Sequence, residues 1–276
     1  MAQASQADGT LAIRLIAGGA TTLASSVLAD SGLEHYRGSF ANKAMVLPLA
    51  SSAFGIAVNG RRAQQPESRG TAAPTVSHVG STAIGLIGLG FHAYNVLKRP
   101  GGPTFTNLFY GAPAGAPAAL VLAGALGKAA DTLAQGKDRI GPVELASGRA
   151  IGAMVGVGLF GSVGEAALLH FRGAYHDPFM WLPVTLPPIA AVSLLRDVID
   201  DHPRQATMIL LGTTAALGLI GMGFHAYGVA RNMGGWKNWR QNILAGPPLP
   251  APPAFTGLAI AGFGALLMMR QRRRHG

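Results

Sequence analysis

The chain has 276 residues, of which 12% are charged and 39 are glycine, with no cysteine, a formal net charge of +10 and a mean hydropathy of +0.31. Soluble domains carry about 25% charged residues and roughly half this share of glycine, so the composition points to helices that face lipid and pack closely through small residues. Lack of cysteine excludes disulfides, thiolate metal ligands, iron–sulfur clusters and covalent c-type haem within the chain, and the basic residues lie beside apolar stretches, as in Arg270-Gln-Arg-Arg-Arg274, which favours membrane orientation over nucleic-acid binding.

Residues 1–10 read as a polar, disordered or interfacial lead, and Leu11 to Leu33 as a first apolar span. A signal peptide is the alternative for that span, but the segment aligns with an internal one 135 residues on, which a signal peptide would not. Lys43 to Val58 is a second, shorter span, and Asn59 to Pro74, with Arg61, Arg62, Arg69 and Gly70, reads as a solvated loop. Thr75 to Leu97 is the third span. Pro103 to Pro117 is a Gly/Pro-rich loop or a broken surface helix, and Ala118 to Ala130 a short fourth span. After a linker over 131–148, spans five to eight follow at about Arg149 to Leu169, Pro178 to Val198, Thr207 to Ala230 and Pro253 to Met269.

Two phrases recur. Gly85-Leu-Ile-Gly-Leu-Gly-Phe-His-Ala-Tyr94 returns as Gly218-Leu-Ile-Gly-Met-Gly-Phe-His-Ala-Tyr227, and His35-Tyr-Arg-Gly38 returns as His170-Phe-Arg-Gly173. The expectation is an all-α integral membrane protein of eight transmembrane helices, arranged as two tandem four-helix repeats, 1–130 and 149–276. An even number of spans per copy gives both copies the same direction, related by a pseudo-twofold axis along the membrane normal. Thirteen Lys and Arg fall on the side of the termini and eight on the other, so both termini are expected in the cytoplasm. Usage rich in Ala and Gly suggests a bacterial inner membrane.

The chemistry-bearing residues gather at span ends. Each copy brings two histidines to the non-cytoplasmic face, His35 and His92 in the first and His170 and His225 in the second, with Arg37 or Arg172, Tyr94 or Tyr227, and a carboxylate, Asp30 or Glu165. Ionisable groups in membrane segments are costly and hint at function. One reading is a b-type haem or quinone site, with His35, His92, His170 and His225 as metal ligands and the arginines on propionates. His78 lies fourteen residues before His92 on nearly the same helix face, but its counterpart is Leu211. The other reading is structural: a histidine bonds a backbone carbonyl, an arginine snorkels, and the glycines serve helix packing.

Smaller signals have plain explanations. Asp177 before Pro178 reads as a helix cap, Asp200-Asp-His-Pro203 as a polar loop, and Trp181, Trp236 and Trp239 as an interfacial belt. The function this supports is a membrane subunit that anchors an outer-face oxidoreductase or another membrane or periplasmic partner, with electrons or quinone passing through the His/Arg clusters. A small-solute transporter and a cofactor-free scaffold are the alternatives.

Overall fold

The computed structural model describes residues 2–68, 72–232 and 234–275, and among them there are helices and turns but no strand. Helix α1 (Ala2–Arg37) is followed by a 3-10 turn (Lys43–Val46), α2 (Leu47–Gln64), α3 (Ala72–Leu97), the short α4 (Phe105–Phe109) and α5 (Gly115–Ala134). The same order of elements then recurs as α6 (Gly148–Arg172), a 3-10 turn (Pro178–Trp181), α7 (Leu182–Asp200), α8 (Gln205–Asn232), the short α9 (Trp239–Ala245) and α10 (Pro253–His275).

Local chemistry sets the boundaries in both halves. Asn42 and Asp177 each cap a 3-10 turn by accepting a hydrogen bond from the N–H two residues on, and a proline then stands in the first turn of α2 and α7, where its missing N–H costs nothing. Ser147 caps α6 in the same way, through the Ala150 N–H. The turn after α1 holds Ser39 and Phe40 at positive φ, and the turn after α6 holds Ala174 and Tyr175 likewise, a conformation L-residues rarely adopt.

The centre of the molecule is built from α1, α5, α6 and α10, with α2 and α3 packed on one side and α7 and α8 on the other. Its buried side chains are mostly Ala, Leu, Ile and Val, among them Ile16, Leu23, Leu126, Ile151, Leu159 and Leu258. Where α1 crosses α10, a Cβ on Gly257 would come within 2.8 Å of the Gly19 carbonyl, so only glycine permits that approach.

Five helical segments are long and apolar enough to cross a membrane: 7–37, 148–172, 178–200, 205–231 and 253–273. The other three expected spans lie on α2, α3 and α5, which fall short of that criterion. The two ends of the bundle differ. At one end lie the start of α1 and the end of α10: Gly9 approaches the Gln271 side chain, Thr10 donates to Glu67 between α2 and α3, and Arg273 meets His202 between α7 and α8. At the other end lie α4, α9 and the histidines towards the ends of α1, α3, α6 and α8, with Arg37 bonded to the end of α9 and Arg172 to Gly111 just after α4.

Several boundaries differ from the sequence reading. The polar lead is part of α1, which runs from Ala2. Residues 59–64, expected in a solvated loop, are the last turns of α2, and Asn59 and Arg62 there are buried. Arg69 and Gly70 of that loop lie outside the described residues. Of the two alternatives for the stretches after α3 and α8, a loop or a broken surface helix, the short helices α4 and α9 match the second, while α5 extends through Asp131, which the sequence reading assigned to the linker.

Candidate functional site

Each of the four histidines donates from Nδ1 to a backbone carbonyl, since a carbonyl can only accept. His35 bonds Met45 O at 2.7 Å and His170 bonds Met180 O at 2.9 Å, so each ties the end of a long helix to the 3-10 turn that follows. His92 bonds Pro113 O at 2.5 Å and His225 bonds Pro248 O at 2.9 Å, tying α3 and α8 to the segments that lead into α5 and α10. Both sets of partners are themselves 135 residues apart. These bonds occupy Nδ1 of each ring, so Nε2 is the nitrogen left to meet a metal or another partner. The rings of His170 and His225 lie edge to face with centroids 6.4 Å apart. Among the described residues no group of three or more His, Cys, Asp or Glu is placed to hold a metal ion.

The two arginines cross between the halves. Arg37, at the end of α1, donates from Nη2 to Ile243 O at 2.7 Å and to Gly246 O at 2.6 Å, satisfying carbonyls at the end of α9 that the helix leaves open. Arg172, at the end of α6, donates to Gly111 O at 3.2 Å just beyond α4, and its guanidinium lies 5.5 Å over the Phe109 ring. Gly111 and Gly246 are again 135 apart. Each half therefore holds the short helix of the other.

The carboxylates have diverged. The Glu165 carboxylate lies against the start of α5, so close that a Cβ on Gly115 would come within 2.5 Å of its Oε2. Asp30 stands at the matching place, but the residue matching Gly115 is Pro250, which has no N–H; Asp30 is 7% exposed and its Oδ1 has no hydrogen-bond partner. The tyrosines do not join the histidines. Tyr94 and Tyr227 are exposed on the outer flanks, with Lys98 5.2 Å over the first ring and Arg231 5.5 Å over the second.

His78 belongs to a different cluster, at the end of the bundle where the termini lie. Its Nε2 is 3.1 Å from Asp131 Oδ2, while Arg62 Nε donates to Asp131 Oδ1 at 2.6 Å. All three side chains are at most 5% exposed. A polar stripe on α2, Ser52, Gly55, Asn59 and Arg62, has helical spacing and is buried throughout. That spacing was the visible signal for this cluster. The second half lacks it: Asp197 replaces Arg62, Leu211 replaces His78 and Leu266 replaces Asp131, all fully buried. Asp197 is held by Arg204, through its N–H at 2.9 Å and Nη1 at 2.6 Å, and these carboxylates, with Asp200 the strongest, hold the Arg204 guanidinium above its usual pKa.

The remaining signals are structural. Asp177 accepts from Phe179 N–H as the expected cap. Trp236 and Trp239 are exposed, and Trp181 stacks on Tyr175 at 4.2 Å. The repeated ten-residue phrase divides by face. Gly85 and Gly218 point inward, where a Cβ would lie 2.7 Å from Pro117 O and 2.8 Å from Pro252 O. Leu86, Ile87, Phe91 and Tyr94, and their counterparts Leu219, Ile220, Phe224 and Tyr227, point outward, each between 41% and 61% exposed. Gly90 and Gly223 also face outward, and a Cβ on either would meet no atom within 4 Å.

No family model matches the chain, and no curated protein or solved structure matches it.

Proposed function

We propose that this protein is a polytopic subunit of a bacterial inner-membrane complex, whose two flanks on α3 and α8 each receive a transmembrane helix of another chain. The observation that carries the reading is the outward half of the repeated phrase. Lipid accepts any apolar side chain, so lipid alone gives no reason for Leu, Ile, Phe and Tyr to be identical in both copies at four exposed positions. Nor does packing within the chain give a reason for Gly90 and Gly223, which meet nothing and cost about 1 kcal/mol of helix stability relative to alanine. A partner helix lying across each glycine, beside the stripe Ile87, Phe91 and Tyr94 or Ile220, Phe224 and Tyr227, accounts for both.

Eight crossings in two parallel repeats are part of this reading. Helices α2, α3 and α5 have 18, 26 and 20 residues, or about 27, 39 and 30 Å at 1.5 Å per residue, and their counterparts α7, α8 and α10 are among the five apolar segments. The shared element order and the exchanged Arg37 and Arg172 contacts support a pseudo-twofold axis along the membrane normal. The basic run at the end of α10 supports cytoplasmic termini, which puts α4, α9 and the histidines on the periplasmic side.

The test is cross-linked affinity purification from native membranes, comparing the wild type with Gly90→Leu/Gly223→Leu. A Cβ at either position meets no atom of this chain within 4 Å, so the variant is expected to fold and insert, which its yield in the membrane fraction checks. Loss of defined partner chains in the variant supports the reading, and unchanged recovery of the same partners overturns it.

A redox role within such a complex is a second reading, favoured by the neighbouring His170 and His225 rings, each held through Nδ1. An absorption spectrum of the purified complex with no haem band, together with no extractable quinone, would remove it and leave the anchoring role standing.

A further inference from the structure

We infer that the groove between the end of α1 and α9 holds one acyl chain of an anionic phospholipid, with Arg240 at its phosphate. Tyr36, Phe40, Trp239, Ile243 and Leu244 line a space of about 440 Å³, within the range of roughly 300–1,000 Å³ usual for ligand sites. Arg240 supplies the one charged side chain of the lining, and Lys237 precedes it by three residues. Both are exposed, and neither has an acidic partner among the described residues.

The other half shows what this construction looks like when protein fills it. At the 135-residue offset, Tyr36 matches Phe171, Arg240 matches Phe105 and Leu244 matches Phe109. Those three phenylalanines pack together between α4 and α6, with centroids 5.9 to 6.4 Å apart. In the α1/α9 copy Arg240 and Leu244 stand where two of those rings stand, while Trp239 stands where the other copy has Thr104, and the space between them stays open with a positive charge in its lining. A phosphodiester on an acyl chain matches both changes, whereas a neutral quinone makes no use of the charge. Trp236 and Trp239, beside the groove, suit the headgroup level. Gly32 borders the same space, and a Cβ there meets no atom within 4 Å, so its position can be used to fill the groove.

The inference requires only that the bundle lies in a bilayer and is independent of partner docking. The experiment is native mass spectrometry of detergent-solubilised protein supplied with palmitoyl-oleoyl phosphatidylglycerol or phosphatidylcholine. The wild type is expected to keep one phosphatidylglycerol after the micelle is removed, with at least about tenfold preference over phosphatidylcholine. Arg240→Ala abolishes the preference, and Gly32→Phe abolishes retention of either lipid. Equal retention of the two lipids, no retained lipid, or retention indifferent to both substitutions overturns the inference while leaving the membrane reading intact. Recovery of the protein from the soluble fraction without detergent overturns the membrane reading as well. Arg240 is exposed and off the core, so its variant reports even if Gly32→Phe misfolds.

Discussion

Replacing Asp131 by leucine, the residue the second half carries at the matching position, is expected to be severely destabilising by itself and harmless in company. Asp131 is the shared partner of Arg62 Nε at 2.6 Å and His78 Nε2 at 3.1 Å, and none of the three side chains is more than 5% exposed. Removing one member of a buried ion pair costs about 3–5 kcal/mol, because the charge left behind stays buried. Arg62 keeps its Nη1 bonds to Pro66 O at 3.0 Å and Ser68 O at 2.8 Å, which sets the expectation at the lower end, about 3 kcal/mol. The triple variant Arg62→Met/His78→Leu/Asp131→Leu removes all the charge and replaces it with apolar volume; such replacements run from neutral to stabilising by about 1–4 kcal/mol, which offsets the bonds that Pro66 O and Ser68 O lose and leaves the triple variant more stable than Asp131→Leu alone. The assay is unfolding in mixed micelles with rising dodecyl sulfate, followed by far-ultraviolet circular dichroism, because all three tryptophans lie beyond residue 180 and would not report on this cluster. A loss below about 1 kcal/mol for Asp131→Leu, or a triple variant as unstable as the single one, would refute the assignment of this cluster as a tightly coupled buried network.

Other expectations come from the same geometry. Within the repeated phrase, Gly85→Ala drives a Cβ against Pro117 O and should cost about 1–3 kcal/mol by overpacking, while Gly90→Ala should gain up to about 1 kcal/mol; equal effects in thermal melts would contradict the two-faced description. Arg37→Ala removes charge-assisted bonds to Ile243 O and Gly246 O, each worth about 1.5–3 kcal/mol, so amide exchange over residues 239–246 should accelerate while exchange in the centre of α6 stays the same. Replacing His225 by alanine frees Pro248 O and should cost about 1 kcal/mol and loosen residues 246–252, detectable as new protease cleavage there; undisturbed protection would show that the carbonyl bond is unimportant.

The sequence by itself determined that the molecule is helical and rich in apolar segments, because helical periodicity, caps and glycine placement are local properties. It also indicated that the histidines stand towards the ends of their helices. Tertiary structure decided what those histidines touch: a carbonyl ten residues away for His35 and His170, and one more than twenty away for His92 and His225, distances at which side-chain pairing leaves no mark in sequence spacing. It separated Tyr94 and Tyr227 from them, since a residue two positions beyond a histidine on a helix points to another face. The buried Arg62, His78 and Asp131 cluster was invisible as a unit because its members come from three helices and one copy alone. Only packing could bring Asp131, at the end of α5, between residues of α2 and α3, and only burial makes that charge count matter.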